Sequence, residues 1–338
     1  MKFQSFSKAP GILLLALLAA LPAGADSAEL DRAAVAAFSA EMQTKHGFNA
    51  EVLGQTLARV ERRDLILATI AKPAEHKPWH VYRPIFLTAE RINAGATFWA
   101  TNAATLAAAE KTYGVPASII VAIIGVETFY GRNTGNFGVL EALGTLAFHY
   151  PPRAPFFRSE LENFLLLARD ENLDALVPKG SYAGAMGLPQ FMPSSFRAYA
   201  VDFDGDGHRD IWRNPADAIG SAGNYLARHG WLRGAPIAVP VLGNPGNQAL
   251  ASEKVDLQRT VAQYRAQGVR AVEPVDDQLM AVLLAYENRD GAEYWLAFKN
   301  FYAITRYNRS PKYALAVTQL ADAIDKARQR QPAASPAP

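Results

Sequence analysis

Hydrophobic and polar positions recur at helical spacing through most of this chain. Residues 31–45 and 49–62 read as amphipathic helices, the second carrying Val52, Leu53, Leu57 and Val60 on one side. Residues 77–84 break the pattern with two prolines and the aromatics Trp79 and Tyr82. They predict a loop that either wedges between helices or offers ring faces to a ligand. Residues 98–113 form an Ala-rich helical pattern closed by Gly114. After Pro116, which suits a first helical turn, Ile119 to Val126 contains no polar residue and so predicts a helix buried all round. Further helices are expected at 140–149, 159–171 and 214–229, with the Pro-rich stretch 150–155 ending the first of these. Residues 237–242 alternate like a strand, 243–247 read as a turn, and the segment to about 275 predicts a small β-containing insertion. Helix is expected again over 276–288 and over a last stretch to about 328, and the Pro/Ala/Ser tail from 331 predicts a disordered end. The pattern as a whole is mainly α.

The chain has 338 residues, half of them hydrophobic and 20% charged, enough for about two domains. Its first residues change the picture. Lys2 and Lys8, an apolar run over 12–21 and Ala23-Gly24-Ala25 form the pattern of a cleaved signal peptide, too short for a transmembrane span. Residues 1–25 are therefore expected to be removed and the protein to be exported to the periplasm, without a membrane anchor; a retained anchor is the alternative, which the apolar run fits less well. Cleavage takes the formal charge from +2 to 0, since it removes two lysines and no acid. A neutral chain argues against nucleic acid as a partner. No cysteine is present, which excludes disulfides, thiolate metal sites and an N-terminal lipid on cysteine.

Three stretches carry candidate chemistry. The first is Glu127, placed at the C-terminal end of the apolar helix and followed by Gly131, which suits a helix stop. Burial and the negative end of the helix dipole both disfavour a charged carboxylate, as a proton donor near neutral pH requires. A structural Glu satisfied by an Arg is the alternative. The second stretch, 180–195, is rich in small residues that permit close backbone approach, and includes Ser181 and Gln190. Its spacing does not match a nucleophile elbow, so Ser181 is not a hydrolase serine by motif. The third is an aspartate loop in which Asp202, Asp204, Asp206 and the His208 carbonyl take the first, third, fifth and seventh positions of a calcium loop. The twelfth position is Arg213, so Asp217 is the next acid that could close the site; an ordinary Asp/Gly turn is the alternative. Arg153, in the Pro-rich loop, could meet an anion or lie in solvent.

Gly125-Val126-Glu127-Thr128 with Tyr130-Gly131, Gly184-Ala185-Met186-Gly187 with Gln190-Phe191-Met192-Pro193, and Tyr307-Asn308 with Tyr313 together resemble the lytic murein transglycosylase B family. The resemblance implies a lysozyme-like helical core with an additional helical region. It implies cleavage of the β-1,4 bond between N-acetylmuramic acid and N-acetylglucosamine without water, leaving a 1,6-anhydro end. It assigns Glu127 as the single catalytic acid. Tyr82, Arg153, Ser181, Gln190, Tyr225, Tyr307, Asn308 and Tyr313 become sugar-groove residues, and Asp202, Asp204, Asp206, His208 and Asp217 ligands of a structural calcium ion. No cofactor is expected for catalysis. Pro152 and Phe156 depart from the family pattern, where Arg and Tyr are frequent. Without a cysteine to lipidate, the chain resembles the soluble form. The expected organisation is an N-terminal helical region at 26–115, the lysozyme-like core at 116–232, the β insertion at 233–275 and closing helices at 276–330. The partners are peptidoglycan glycan strands and, with them, proteins of cell-wall synthesis or hydrolysis. A hydrolytic muramidase and a catalytically silent glycan-binding scaffold are the competing readings. A single acid favours the lyase, because ordinary glycosidases need two carboxylates.

Overall fold

The computed structural model describes residues 28–71, 77–243 and 246–330. The signal-like leader, the tail from 331 and the Asn244-Pro245 part of the expected turn lie outside the described residues. In chain order the helices are α1 (Arg32–His46), α2 (Ala50–Ala58), α3 (Asp64–Ile70), α4 (Trp79–Phe86), α5 (Ala89–Thr101), α6 (Ala103–Tyr113), α7 (Ala117–Thr128) and α8 (Val139–His149). They continue with α9 (Ala154–Asp170), α10 (Pro193–Tyr199), α11 (Pro215–Arg228), α12 (Asn247–Leu250), α13 (Val261–Ala266), α14 (Lys299–Tyr307) and α15 (Pro311–Arg330). The strands are β1 (Ala28–Glu29), β2 (Glu61–Arg62), β3 (Phe137–Gly138), β4 (Lys179–Gly180), β5 (Ala238–Val241), β6 (Arg259–Thr260), β7 (Met280–Asn288) and β8 (Gly291–Ala297). The fold is mainly helical with a small antiparallel sheet. Among the described residues no single helix is long and apolar enough to cross a membrane.

The described residues divide into two compact units. One lies within Leu14–Ala74 and Ile123–Asn224, the other within Glu75–Ala122 and Tyr225–Pro338. Helices α7 and α11 carry the chain from one to the other.

The first unit holds α1–α3, α8–α10 and the two short ribbons β1–β2 and β3–β4. Asp31 and Asn49 cap α1 and α2 through their side-chain oxygens, and Gly47 closes α1 in the left-handed conformation. Helix α2 is shorter than its apolar pattern, because Glu61 and Arg62 pair with β1 instead of continuing the helix. α8 packs along α9 and α3, and α9 along α10. Leu143, Leu146, Phe157, Leu161 and Phe164 are fully buried. Pro155 starts α9 instead of preceding it, because proline lacks only an N–H that the first turn cannot use.

The second unit holds α4–α6, α12–α15 and the sheet, in the order β5-β8-β7-β6. Three expectations fail here. Within 77–84, residues from Trp79 on are helical: Pro78 stands at the N-cap of α4 and Pro84 lies inside it. Trp79, Tyr82 and Phe86, at i, i+3 and i+7, are 0–3% exposed, and this burial outweighs the bond lost at Pro84. Residues 280–288 form strand β7 and not a helix; it pairs with β8 from Val282↔Ala297 to Asn288↔Gly291 around Arg289-Asp290. The helix expected over 98–113 is also two helices, broken at Asn102. The sheet buries Leu283, Leu296, Val261 and Tyr264 in a core of its own.

Candidate active site

Helix α7 is as apolar as its sequence requires. Ile119 to Ile124 are 0–2% exposed, so the helix is fixed by packing on all sides. It ends in the first unit with Glu127, 9% exposed, and Thr128, 1% exposed. Thr128 anchors this end. Its hydroxyl donates to the Leu188 carbonyl at 3.0 Å and accepts from the Gly131 backbone N–H at 3.0 Å. One short side chain thus joins the helix end, the loop after it and the turn at 187–190.

The backbone on both sides of that junction is strained. Among the described residues four non-glycine positions have positive φ, and three of them are Phe129, Tyr130 and Gln190. Such conformations persist only where the surroundings over-determine them, and they concentrate at functional sites. For Gln190 the determinants are visible. Its side-chain amide donates to the Gly187 carbonyl at 2.9 Å and to the Thr134 carbonyl at 3.1 Å. Those bonds hold the turn and leave its Oε1 as an acceptor. The rest of the stretch is a compact double turn, with Ser181 N–H bonded to Ala185 and Met186 paired with Phe191. Ser181, buried, accepts the backbone N–H groups of Ala183 and Ala185 at 3.3 and 3.1 Å, so its oxygen shapes the Gly184 turn. A Cβ on Gly135 would collide with the Gly180 carbonyl, which makes glycine obligatory at that approach.

Arg153 ends a 3-10 turn over Pro151–Arg153 and lies over the Phe156 and Phe157 rings at 4.5 and 5.2 Å. Burial holds its guanidinium pKa below the usual arginine range. Four glutamates elsewhere in this unit are held in hydrogen bonds or ion pairs. Glu141 accepts from Arg63 at 2.7 Å, Glu160 from Ser194 at 2.7 and 2.9 Å, and Glu162 pairs with His46 at 2.7 Å. Glu171 pairs with Arg209.

The aspartate loop folds around its own carboxylates. Asp202 accepts the N–H groups of Gly205, Asp206 and Gly207, which lowers its pKa, Gly207 contributing most. Asp217, fully buried on α11, accepts from Phe203 and Asp210 at 2.8 and 2.7 Å. Burial raises its pKa, those two N–H groups oppose the rise, and Asp204 and Asp202 add to it. One carboxylate oxygen from each of Asp202, Asp204 and Asp217 lies within 4.8 Å of the others. Three oxygens so placed fit a hard cation such as calcium. Asp206 accepts from the His208 N–H at 2.8 Å and is not one of the three that converge.

The remaining expected residues lie in the second unit, where Tyr225 and Tyr307 are in ring contact. The Tyr225 ring stacks on His229 at 4.1 Å and meets Tyr307 at 4.7 Å, while its hydroxyl donates to the Arg306 carbonyl at 2.6 Å. Asn308 caps α14, and its side-chain oxygen accepts the Ser310 N–H at 3.1 Å. Tyr313 and Tyr82 are each 2% exposed, and the Tyr82 ring lies between Trp79 and Phe86, with centroids at 6.2 and 5.2 Å. Sequence reasoning missed the junction role of Thr128. A hydroxyl directly after the candidate acid was a signal for it, but the partner, Leu188, is 60 residues away.

The Transglycosylase SLT domain family matches residues 31–322. The membrane-bound lytic murein transglycosylase B of Escherichia coli (strain K12) is 44% identical over 302 residues, covering 86% of this chain and 82% of that protein. The crystal structure of the soluble lytic transglycosylase SltB1 from Pseudomonas aeruginosa is 51% identical, with a TM-score of 0.83 and coverage of 88% of this chain and 99% of that one. The Escherichia coli lytic transglycosylase Slt35 in complex with calcium is 43% identical, with a TM-score of 0.81 over 88% of this chain and 94% of its own. The chain belongs to the transglycosylase SLT family and is a lytic murein transglycosylase, an enzyme acting on peptidoglycan.

Proposed function

We propose that Glu127 performs both proton transfers of a non-hydrolytic cleavage of the β-1,4 bond between N-acetylmuramic acid and N-acetylglucosamine. The observation that carries this is a carboxyl buried at the end of an apolar helix whose terminus is fixed by Thr128. Burial disfavours ionisation, so the neutral acid can protonate the glycosidic oxygen as the bond to the anomeric carbon breaks. The acetamido oxygen of the muramyl ring can hold the anomeric carbon while its C6 hydroxyl approaches. Glu127, now a carboxylate, takes the C6 hydroxyl proton as that oxygen bonds to the anomeric carbon. No water enters, and the chain ends in a 1,6-anhydro ring. A second carboxylate, which hydrolytic glycosidases require, is unnecessary because the substrate brings its own nucleophile.

Ser181, Gln190 and Arg153 hold the sugar in this reading, Gln190 through its remaining acceptor. Tyr82, Tyr225, Tyr307, Asn308 and Tyr313 are assigned to glycan contact as well, on the family resemblance. Asp202, Asp204 and Asp217, with Asp206 and the His208 carbonyl, would hold calcium, whose contribution is to neutralise the loop and fix it. The leader and the absence of cysteine support an exported, soluble, periplasmic enzyme that works on glycan strands beside other cell-wall proteins.

Glu127→Gln tests the assignment. The amide keeps the shape but can neither give nor take the proton, so cleavage of purified sacculi should fall by about 10²–10⁴-fold or more while glycan binding persists. Retention of a tenth of the rate would mean that another residue is the acid.

A further inference from the structure

Helix α7 ends against an aromatic side chain from the loop that follows it. At Gly125, buried in the last turn, a Cβ would lie 2.5 Å from the Tyr130 hydroxyl oxygen, 2.6 Å from its Cζ and 2.7 Å from its Cε1. The phenol therefore rests directly on the helix backbone, at a position that only glycine leaves open. Alanine is the better helix former, so the helix gives up local stability to admit the ring.

Laying the ring there takes an abrupt reversal of the chain. Phe129, Tyr130 and Gly131 have φ of 52°, 59° and 89°, three left-handed residues in succession of which only the last is glycine. The backbone is tied back to the helix through that reversal. The Phe129 N–H donates to the Gly125 carbonyl at 3.1 Å, the Tyr130 N–H to the Ile124 carbonyl at 3.4 Å and the Asn133 N–H to the Thr128 carbonyl at 2.9 Å. The Phe129 ring meets the Tyr130 ring edge-on at 6.0 Å. Strain of this kind persists only where packing over-determines it. The last turn of α7 is thus gripped at two points, by the phenol on Gly125 and by the Thr128 hydroxyl on Leu188, and Glu127 lies between them.

We infer that Tyr130, seated on Gly125, is a positioning residue for Glu127. This rests on the reading of Glu127 as the acid that protonates the glycosidic oxygen. Proton donation needs the carboxyl within hydrogen-bond reach of that oxygen, and a misplacement of about 1 Å can cost on the order of a hundredfold in rate. The phenol keeps the Gly125 end of the turn from shifting, as Thr128 keeps the other end. The direction in which Glu127 leaves the helix is therefore set before substrate arrives. The grip is one of shape. Cζ and Cε1 lie almost as near Gly125 as the hydroxyl oxygen does, so a phenylalanine ring would fill the same place.

The test measures kcat and KM on soluble glycan strands, well below each variant's melting temperature. Tyr130→Ala and Gly125→Ala should each lower kcat about tenfold and leave KM within about twofold. Tyr130→Phe should keep most of the rate. The double variant Gly125→Ala/Tyr130→Ala should be no slower than Tyr130→Ala, because the added methyl then meets no ring. If Tyr130→Ala does not fold, Tyr130→Leu, which keeps bulk but cannot reach Gly125, carries the same expectation. Full rates in both single variants, multiplied losses in the double one, or a rise in KM at constant kcat overturn the proposal. Glu127→Gln supplies the readout that a merely structural role would not move. In that background Tyr130→Ala should cost nothing further, since no acid remains to be aimed; a second tenfold loss there contradicts the assignment. If Glu127→Gln alone keeps the wild-type rate, the reading of the acid has failed. If it is inactive while Tyr130→Ala is not impaired, only the positioning role has failed.

Discussion

Gln190, Phe129 and Tyr130 adopt left-handed backbone that costs on the order of 1–3 kcal/mol at each non-glycine position. The bonds from Gln190 to Gly187 and Thr134, and from Thr128 to Leu188, hold the turn and the helix end in that conformation. Glu160 illustrates a different residue-scale effect. Its carboxylate is 5% exposed and accepts both the N–H and the hydroxyl of Ser194 at the start of α10. Burial raises its pKa, and the two bonds from Ser194 only partly oppose this. A carboxyl with a raised folded pKa binds its proton more tightly in the fold. Its contribution to stability is therefore full below the ordinary glutamate range and is lost as pH rises through the folded value. The melting temperature of wild type minus that of Glu160→Gln should accordingly decline as pH rises above the ordinary glutamate range of about 4. A difference that is flat or rises with pH would show that Ser194 outweighs desolvation. Glu127 was legible in the sequence because a lone acid closing an apolar run is a local signal. Glu160 was not, since its partner lies on another helix.

Single elements differ in how far the sequence discloses them. The aspartate loop was readable in part from spacing: Asp202 and Asp204 converge with Asp217, the next acid along the chain, while Asp206 does not join them. Without a cation those carboxylates repel one another, so calcium bound only to the folded chain should stabilise it. The gain is about 2.7 kcal/mol at a hundredfold excess over the dissociation constant. EDTA should lower the melting temperature, and calcium should restore it better than magnesium, whose octahedral shell suits such a loop poorly. The rate of glycan cleavage at a temperature well below melting should hardly move. A melting curve indifferent to all three additions would make the loop an ordinary turn. Helix α4 was hidden because Pro78 and Pro84 read as breakers, although one sits at a cap and the aromatic spacing was helical. Strand β7 was hidden because a short apolar run fits helix and strand equally. The hairpin signal was present in Asp290-Gly291, where the turn Arg289-Asp290 gives way to the first residue of β8.

At the scale of the whole molecule, each compact unit is assembled from described segments far apart in the chain, 28–71 with 123–224 and 77–122 with 225–243 and 246–330. No periodicity announces such an arrangement, since it depends on which apolar faces meet after the helices have formed. Family resemblance supplied what pattern could not, and the match over residues 31–322 carries the enzyme class. The central claim is that this scaffold needs one carboxylate and no water. Digestion of purified sacculi in ¹⁸O-labelled water, followed by mass spectrometry of the released muropeptides, tests it directly. The products should be 1,6-anhydro muropeptides free of label, and Glu127→Gln should abolish their release. Predominantly reducing-end muropeptides carrying one ¹⁸O per cleaved bond would contradict the account and make the enzyme a hydrolase.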